Sequence, residues 1–414
     1  MMKEMEMKRV PKLRFPEFTD DWEQRKLGEL TEIKDSARIP NNEWTESGVP
    51  YIRASDVTNE DMRGVLFISE EKYKFYKSRT GAPEQGDVLF NGGGEIGKTM
   101  LNTGNKPIYV QGGAVLYART SASKMLNGRY MKTYFETSSA KSYIDAASAG
   151  GTMKHFTLKP SQEMPIMFPT MSEQQKIGQY FSNLDNLITL HQRKLEKLKK
   201  LKKGLVQKLF SQEVRFKADD GSEFPEWEEK KLGEFGTFIK GAALSKADIS
   251  EYGSPFILYG ELYTTYKEVA YNIQRRTQAI VDKKYYSCIG DVVIPTSGES
   301  AEEISTATCV MVPNVILGGD LNIFRSDIVD GRIMSYILNH QVKWKIAMIA
   351  QGKSIVHIQA KQLSNIYVKY PVSKVEQQKI ADCLSLLDDV IEKQKVTLAA
   401  WEEMKKGLLQ QMFV

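Results

Sequence analysis

The sequence predicts an α+β fold in which two copies of one strand-rich domain alternate with two copies of one long helix. Three observations carry this. Glu173 to Phe210 returns, without a gap, as Glu376 to Phe413 at a constant displacement of 203 residues, with 16 of 38 aligned positions identical. The globular parts repeat at nearly the same displacement: Trp22-Glu-Gln-Arg-Lys-Leu-Gly-Glu29 returns as Trp227-Glu-Glu-Lys-Lys-Leu-Gly-Glu234, Gly86-Asp-Val-Leu-Phe90 as Gly290-Asp-Val-Val-Ile294, and Gly112-Gly113 as Gly318-Gly319. The 414 residues, 41% apolar and 26% charged, supply material for two or three ordinary globular cores. Repetition at a fixed period sets the architecture ahead of any local signal.

Taken in order, the chain divides into an N-terminal arm (1–20), a first domain (21–169), a central helix (170–212), a second domain (213–371) and a C-terminal helix (372–414). Within the domains, short β-branched and aromatic runs bounded by Gly, Pro, Asn or Asp predict strands at Val49 to Ile52, Val88 to Phe90, Ile108 to Tyr117, Val292 to Ile294 and Thr308 to Val312. Helical patterns are few, the best being Asn127 to Ser139 and Gly331 to Ala350. Leu13-Arg-Phe-Pro-Glu-Phe18 in the arm resembles Val214-Arg-Phe216 with Glu223-Phe-Pro-Glu-Trp227 ahead of the second domain. The end of the second helix should therefore lie near the start of the first domain, with the two halves related by an approximate two-fold axis.

Each long helix opens with a capping box just after a proline, Thr170-x-x-Glu173 after Pro169 and Ser373-x-x-Glu376 after Pro371. Apolar residues then recur by alternating steps of four and three, the spacing of a coiled-coil seam. The seam runs through Ile177, Phe181, Leu184, Ile188, Leu195 and Leu198 in the first copy and Ile380, Leu384, Leu387, Ile391, Leu398 and Trp401 in the second. Polar interruptions coincide as well, His191 and Lys202 with Gln394 and Lys405, and such residues fix register at some cost in stability. The two helices should pack on each other. Gly204 and Gly407 interrupt strong helical sequence at equivalent places, which suggests close backbone approach to the partner helix or to a docked protein.

The net charge of +5 permits nucleic-acid binding without demanding it. The basic run from Arg193 to Lys208 reads first as a solvated coiled-coil face. No stretch of eighteen apolar residues exists, and the charged N-terminus lacks the apolar segment of a signal peptide, so a cytoplasmic protein without a membrane span is expected. Cys288, Cys309 and Cys383 are odd in number and widely spaced, arguing against a disulfide framework or a zinc site.

Gly92-Gly-Gly-Glu-Ile-Gly97-Lys98-Thr99 matches the P-loop pattern letter for letter. A P-loop needs a helix directly after its Lys-Thr, whereas Asn102, Thr103, Gly104, Asn105 and Pro107 follow, and the second copy keeps only Gly-Glu of the motif. A glycine turn between strands is the better reading. His155, His191, His340 and His357 form no metal-ligand spacing. His155 and His357 each follow a glycine-rich turn, as strand-entry residues or as contacts to DNA. Neither a nucleophile elbow nor the adenine-methyltransferase motif [ND]-P-P-[YF] is present. The chain reads as one that binds and organises, with no catalytic residue and no metal site.

The whole plan resembles the specificity subunit of type I restriction-modification systems. The residues that carry the resemblance are Gly151-Thr-Met-Lys-His155 leading to Ser172-Glu-Gln-Gln-Lys-Ile177, the matching Glu376-Gln-Gln-Lys-Ile380, and Arg215-Phe216 leading to Pro225-Glu-Trp-Glu228. The resemblance implies that each domain is a target recognition domain reading one half of a bipartite, asymmetric sequence in double-stranded DNA. It also implies that the helices pair antiparallel, set the spacing of the half-sites and dock two methyltransferase subunits. S-adenosylmethionine, ATP and Mg would sit on those partners and on two restriction/translocase subunits, with no cofactor in this chain. Sequence preference should reside where the copies differ, in side chains suited to base edges or phosphates. The candidates are Lys34, Arg38, Arg53, Asn91, Glu95, Lys98 and Lys154 in the first domain, and Lys240, Lys246, Tyr259, Ser297, Glu299, Lys353 and Ser354 in the second. A rival is a coiled-coil protein-interaction adaptor without DNA specificity; another, a nucleotide-dependent enzyme, rests on Lys98-Thr99 alone.

Overall fold

The computed structural model describes residues 10–150, 154–352 and 355–414. The chain forms two compact units, Met1–Gln192 with Val396–Val414, and Arg193–Lys395. Each long helix, Met171–Phe210 and Lys374–Met412, therefore contributes one part to each unit.

In the first unit, an antiparallel sheet has the strand order Ile33–Asp35, Val115–Ala118, Val88–Asn91, Thr99–Leu101. A second sheet runs Trp44–Thr45, Phe67–Ile68, Val49–Ile52, Tyr109–Val110, its last pair parallel. In the second unit the corresponding sheets are Thr237–Lys240, Leu321–Arg325, Asp291–Pro295, Thr308–Val310, Val269–Ala270, and Arg276–Thr277, Ser254–Ile257, Ile316–Leu317. The shared strands match in order and sense of pairing; Val269–Ala270 is an addition in the second unit, and Trp44–Thr45 is reduced there to the single bridge Ser250–Arg276. Val88 to Phe90 and Val292 to Ile294 are fully buried central strands, which is why they read as unbroken apolar runs.

Three expectations needed correction. The run Ile108 to Tyr117 is two strands, Tyr109–Val110 and Val115–Ala118, split by a turn in which Gly112 lies so close to Ser36 that a Cβ would sit 1.8 Å from its carbonyl oxygen. Gly331 to Ala350 is a helix to Tyr336, a wider π turn over Ile337–Gln341 and a second helix Lys343–Ile349, while Asn127 to Ser139 likewise covers two helices, Gly128–Tyr134 and the start of Ser138–Ala147. The helix Glu70–Thr80, capped by Ser69, was not expected; Tyr73 is its one buried residue, so it offers no apolar stripe to read.

Each domain is fastened to its helix by the Glu-Gln pair at the helix start. Gln174 Nε2 donates to the carbonyls of Met125 and Pro169, both at 2.9 Å, while its Oε1 accepts the Asn127 N–H at 2.9 Å. Gln377 repeats this with Ile328, Pro371 and Asp330. Glu173, with no exposed surface, takes the Arg14 guanidinium as a two-pronged pair at 2.7 and 2.8 Å, and Glu376 takes Arg215 at 3.2 and 3.1 Å. A buried carboxylate is tolerated only with such a partner. The two connectors that looked alike in sequence thus do the same work.

Inside the first unit, Ile177, Phe181 and Leu184 share a core with Met412, Phe413 and Trp22, and His191 lies against Trp401, so the helix segments run antiparallel. The N–H of Leu13 donates to Gln411 O, bringing the end of the second helix to the start of the first domain. Inside the second unit, Val206 and Leu209 pack with Ile380, Ala381 and Leu384. The seam lysines are tethered at these junctions. Lys405 Nζ lies 2.6 Å from Asp185 and also contacts Glu136; Lys202 Nζ lies 2.6 Å from Asp388 and 3.2 Å from Glu268, which also meets His340 at 2.8 Å. Burial works against the charge on Lys405, but Glu136 and Asp185 outweigh it and raise its pKa.

Burial would raise the pKa of Glu268, yet the His340 hydrogen bond and the Lys202 charge together bring it down to about 2. A carboxylate whose pKa falls on folding stabilises the native state above its unfolded pKa, and that stabilisation is lost as pH falls through the folded value. Urea unfolding of wild type and Glu268→Gln should therefore differ most near neutrality, with the gap closing between about pH 5 and pH 2; a gap independent of pH would refute this.

Candidate nucleic-acid interface

The P-loop-like segment is a hairpin turn. The Asn91 N–H donates to Lys98 O at 2.8 Å, the Gly97 N–H donates to Asn91 O at 2.9 Å, and Thr99 enters strand Thr99–Leu101 instead of a helix. No helix N-terminus is presented to a phosphate there. Lys98 stands exposed at the turn, 4.0 Å from the carboxylate of Glu95, which is exposed as well. Lys98 and Lys154 line one cleft of about 630 Å³ together with Lys141, Glu60 and Asp145, and Lys154 is paired with Asp145 at 3.1 Å. Two of the predicted contacts are thereby brought together by loops distant in sequence.

The other candidates of the first domain lie apart from that cleft. Lys34, on strand Ile33–Asp35, is half-buried and 3.2 Å from Glu32, while Arg38 is exposed with no ion pair among the described residues. Arg53 precedes the short helix Ala54–Thr58 and is gripped by Asp56 through Nε and Nη2, each at 3.1 Å. Asn91 is a correction. It is fully buried, its Nδ2 donating to Ala54 O at 2.9 Å and Thr58 Oγ1 at 3.1 Å, so it pins that short helix to the central strand and does not face DNA.

In the second domain, Lys246 and Tyr259 line a cleft of about 620 Å³ with Tyr263, Arg275 and Asp320. Lys240 is exposed at the end of strand Thr237–Lys240, and Glu299 is exposed before the helix capped by Ser300. Ser297 is buried in the two-residue strand that pairs with Val356–His357, so it too is withdrawn from a surface role. Lys353 and Ser354 lie outside the described residues. His155 and His357 are exposed and occupy equivalent bridges, to Ala149 and Gln351. Arg275 is one of the residues that only the second copy carries, although it is not among the nominated contacts. The signal that could have found it is the alignment of Asp56 with Glu261, a carboxylate kept in both copies although Arg53 is replaced by Leu258.

On the helices every seam candidate is buried or half-buried, from Ile177 to Leu195 and from Ile380 to Leu398. Beside the seam a second set of apolar residues is exposed: Leu187, Leu190 and Leu201 on the first helix, and Leu386, Val390 and Met404 on the second. Leu187 and Leu201 correspond in the repeat to Val390 and Met404. Gly204 and Gly407 have nothing within 4 Å of where a Cβ would stand, which corrects the expectation of close approach to the partner helix.

Among the described residues no helix is long and apolar enough to cross a membrane, and no three His, Cys, Asp or Glu side chains gather as metal ligands. A repeated domain whose cleft mixes basic side chains with carboxylates, fastened each time to paired helix segments, is the layout of a recognition subunit. The profile of the family described as the type I restriction modification DNA specificity domain matches twice, at residues 19–200 and 225–399, and the chain belongs to that family. The type I restriction enzyme MjaVIII specificity subunit of Methanocaldococcus jannaschii is 24% identical over 427 residues, covering 98% of this chain and 95% of its own. The crystal structure of the S subunit of a type I restriction-modification system from M. genitalium superposes with a TM-score of 0.62 at 17% identity, covering 98% of this chain and 99% of its own. A structure described as the basis of complex assembly and conformational transition of the type I R-M system gives 0.51 at 17% identity over 95% and 97%. The chain is a DNA specificity subunit; such subunits are non-catalytic, the catalytic activities lying on other subunits, and the adaptor reading is not favoured.

Replacing Asn91 by alanine should lower the stability of the first unit by about 1–3 kcal/mol, through the buried acceptors left unpaired, while leaving sequence preference unchanged. Thermal unfolding and DNA-binding selection on the same preparation check both halves of that expectation.

Proposed function

We propose that each unit reads one half of a bipartite, asymmetric double-stranded DNA sequence, that the paired helices set the gap between the half-sites, and that this cytoplasmic chain delivers partner enzymes to the address so defined. The observation that carries the reading is that one arrangement of sheets and anchors is built twice while the side chains of equivalent loops differ. Equal frames with unequal loops suit an asymmetric target, because base edges in the major groove discriminate all four base pairs. Lys98 and Lys154 in one unit and Lys246 in the other serve phosphate contacts, which position the protein without specifying sequence.

The exposed apolar positions beside the seam serve to dock two methyltransferase subunits, one on each copy of the repeat. S-adenosylmethionine belongs to those partners, and ATP and Mg to two restriction/translocase subunits. Apolar residues at helical spacing are the usual means by which one helix receives another. Gly204 and Gly407 lie in open space one turn from Leu201 and Met404, where a docked helix could approach closely.

Co-expression with the cognate methyltransferase and genome-wide mapping of methyladenine test the core of this reading. A bipartite motif with a fixed gap is expected. Seven residues inserted into both helices, after Gln192 and after Lys395, keep the seam in phase and add ~10 Å, so the gap should lengthen by about three base pairs with both half-sites unchanged. Altered half-sites with an unchanged gap would falsify the spacing role. Gly204→Leu should stabilise the isolated chain by up to about 1 kcal/mol and weaken co-purification of the methyltransferase; undiminished co-purification counts against docking at that face.

A further inference from the structure

We propose that Arg53 in the first unit and Arg275 in the second are the guanine-reading side chains of the two half-sites, each aimed by a buried carboxylate. The inference rests on the reading that each unit reads one half-site, and it names the residue and the base.

Asp56 is 5% exposed. Its Oδ2 accepts the backbone N–H of Arg53 at 2.9 Å and the Nε of the same residue at 3.1 Å, while Oδ1 accepts Nη2 at 3.1 Å. In the second unit the residue aligned with Arg53 is Leu258, which is buried, and the carboxylate aligned with Asp56 is Glu261, 8% exposed. Glu261 Oε2 accepts the Leu258 N–H at 3.1 Å, and Oε1 lies 3.0 Å from Nε of Arg275. Arg275 arrives from the residue just before the neighbouring strand Arg276–Thr277, where its carbonyl accepts the Phe256 N–H at 3.0 Å.

The two units thus hold an arginine on the same carboxylate, although the arginine comes from two unrelated places in the chain. In both the carboxylate takes the Nε edge. The remaining guanidinium N–H groups point away from it, and the arginine side chains stay 32% and 29% exposed. Guanine presents O6 and N7 in the major groove to a forked donor of this kind. An arginine already fixed along one edge loses less freedom on binding than a free one, and lysine has no second edge to offer. Arg275 faces the cleft lined by Lys246 and Tyr259, so a phosphate contact and a base contact are available in one place.

The alternative is that the arginines only neutralise buried carboxylates. Methyladenine mapping of the complex carrying Arg53→Lys or Arg275→Lys separates the two, because lysine keeps the charge and loses the fork. Arg53→Lys should relax one guanine position of one half-site, discrimination there falling roughly 10- to 100-fold, with the other half-site and the gap unchanged; Arg275→Lys should do the same in the other half-site. Asp56→Asn, which leaves Arg53 in place without its aim, should weaken the same position and serves if Arg53→Lys fails to assemble. Wild-type base preference in the assembled variants, relaxation at a base other than guanine, or both lysine variants acting on one half-site overturns the assignment. A wild-type complex that methylates no bipartite motif overturns the half-site reading as well, so the two failures are told apart.

Discussion

The structure depends on two buried glutamates, Glu173 and Glu376, at the first turns of the long helices. Neither has exposed surface, and a carboxylate taken out of water costs several kcal/mol unless it is paired. Arg14 and Arg215 supply that pairing from connectors about 160 residues away in the chain. The neighbouring glutamines, Gln174 and Gln377, satisfy the strand-to-helix corner of the domain. Domain, connector and helix meet at one point in each unit, so the domain's loops have a defined orientation on the helix that carries them. In the second unit Trp227 Nε1 also donates to Glu376, whereas Trp22 Nε1 is buried with no partner.

The seam lysines are the second constraint. Lys202 with Asp388 and Lys405 with Asp185 are reciprocal pairs, each lysine opposite the aspartate of the other helix. An aliphatic seam would allow the antiparallel helices to slide by a heptad; a half-buried lysine that finds its acid at a single offset does not. Because each lysine also reaches a glutamate of its own domain, Glu136 or Glu268, the same residue ties helix register to domain position. The proposed spacing role requires both.

Much of this was legible in the sequence, for identifiable reasons. The duplication, the seam and the capping boxes are local or periodic signals, and a period survives whatever the rest of the chain does. The P-loop match was rejected from its neighbours alone, and the hairpin at Asn91 to Thr99 bears that out. Asn91 and Ser297 were misplaced because a polar residue at the end of a strand looks the same in sequence whether it turns inward to hold a helix or outward to meet a ligand. Arg275 stands out in sequence only as a residue that the second copy alone carries; its pairing is not legible there, because its partner Glu261 lies 14 positions earlier, on a different element.

The sequence by itself determined the doubling of the domain, the pairing face of the helices and the absence of a recognisable catalytic motif, since each is written in residue type and spacing along the chain. Tertiary structure alone decided which polar side chains are free to meet DNA. That choice depends on which carboxylate, carbonyl or backbone N–H lies within about 3 Å, and such neighbours are brought together by folding over separations that carry no periodic signal.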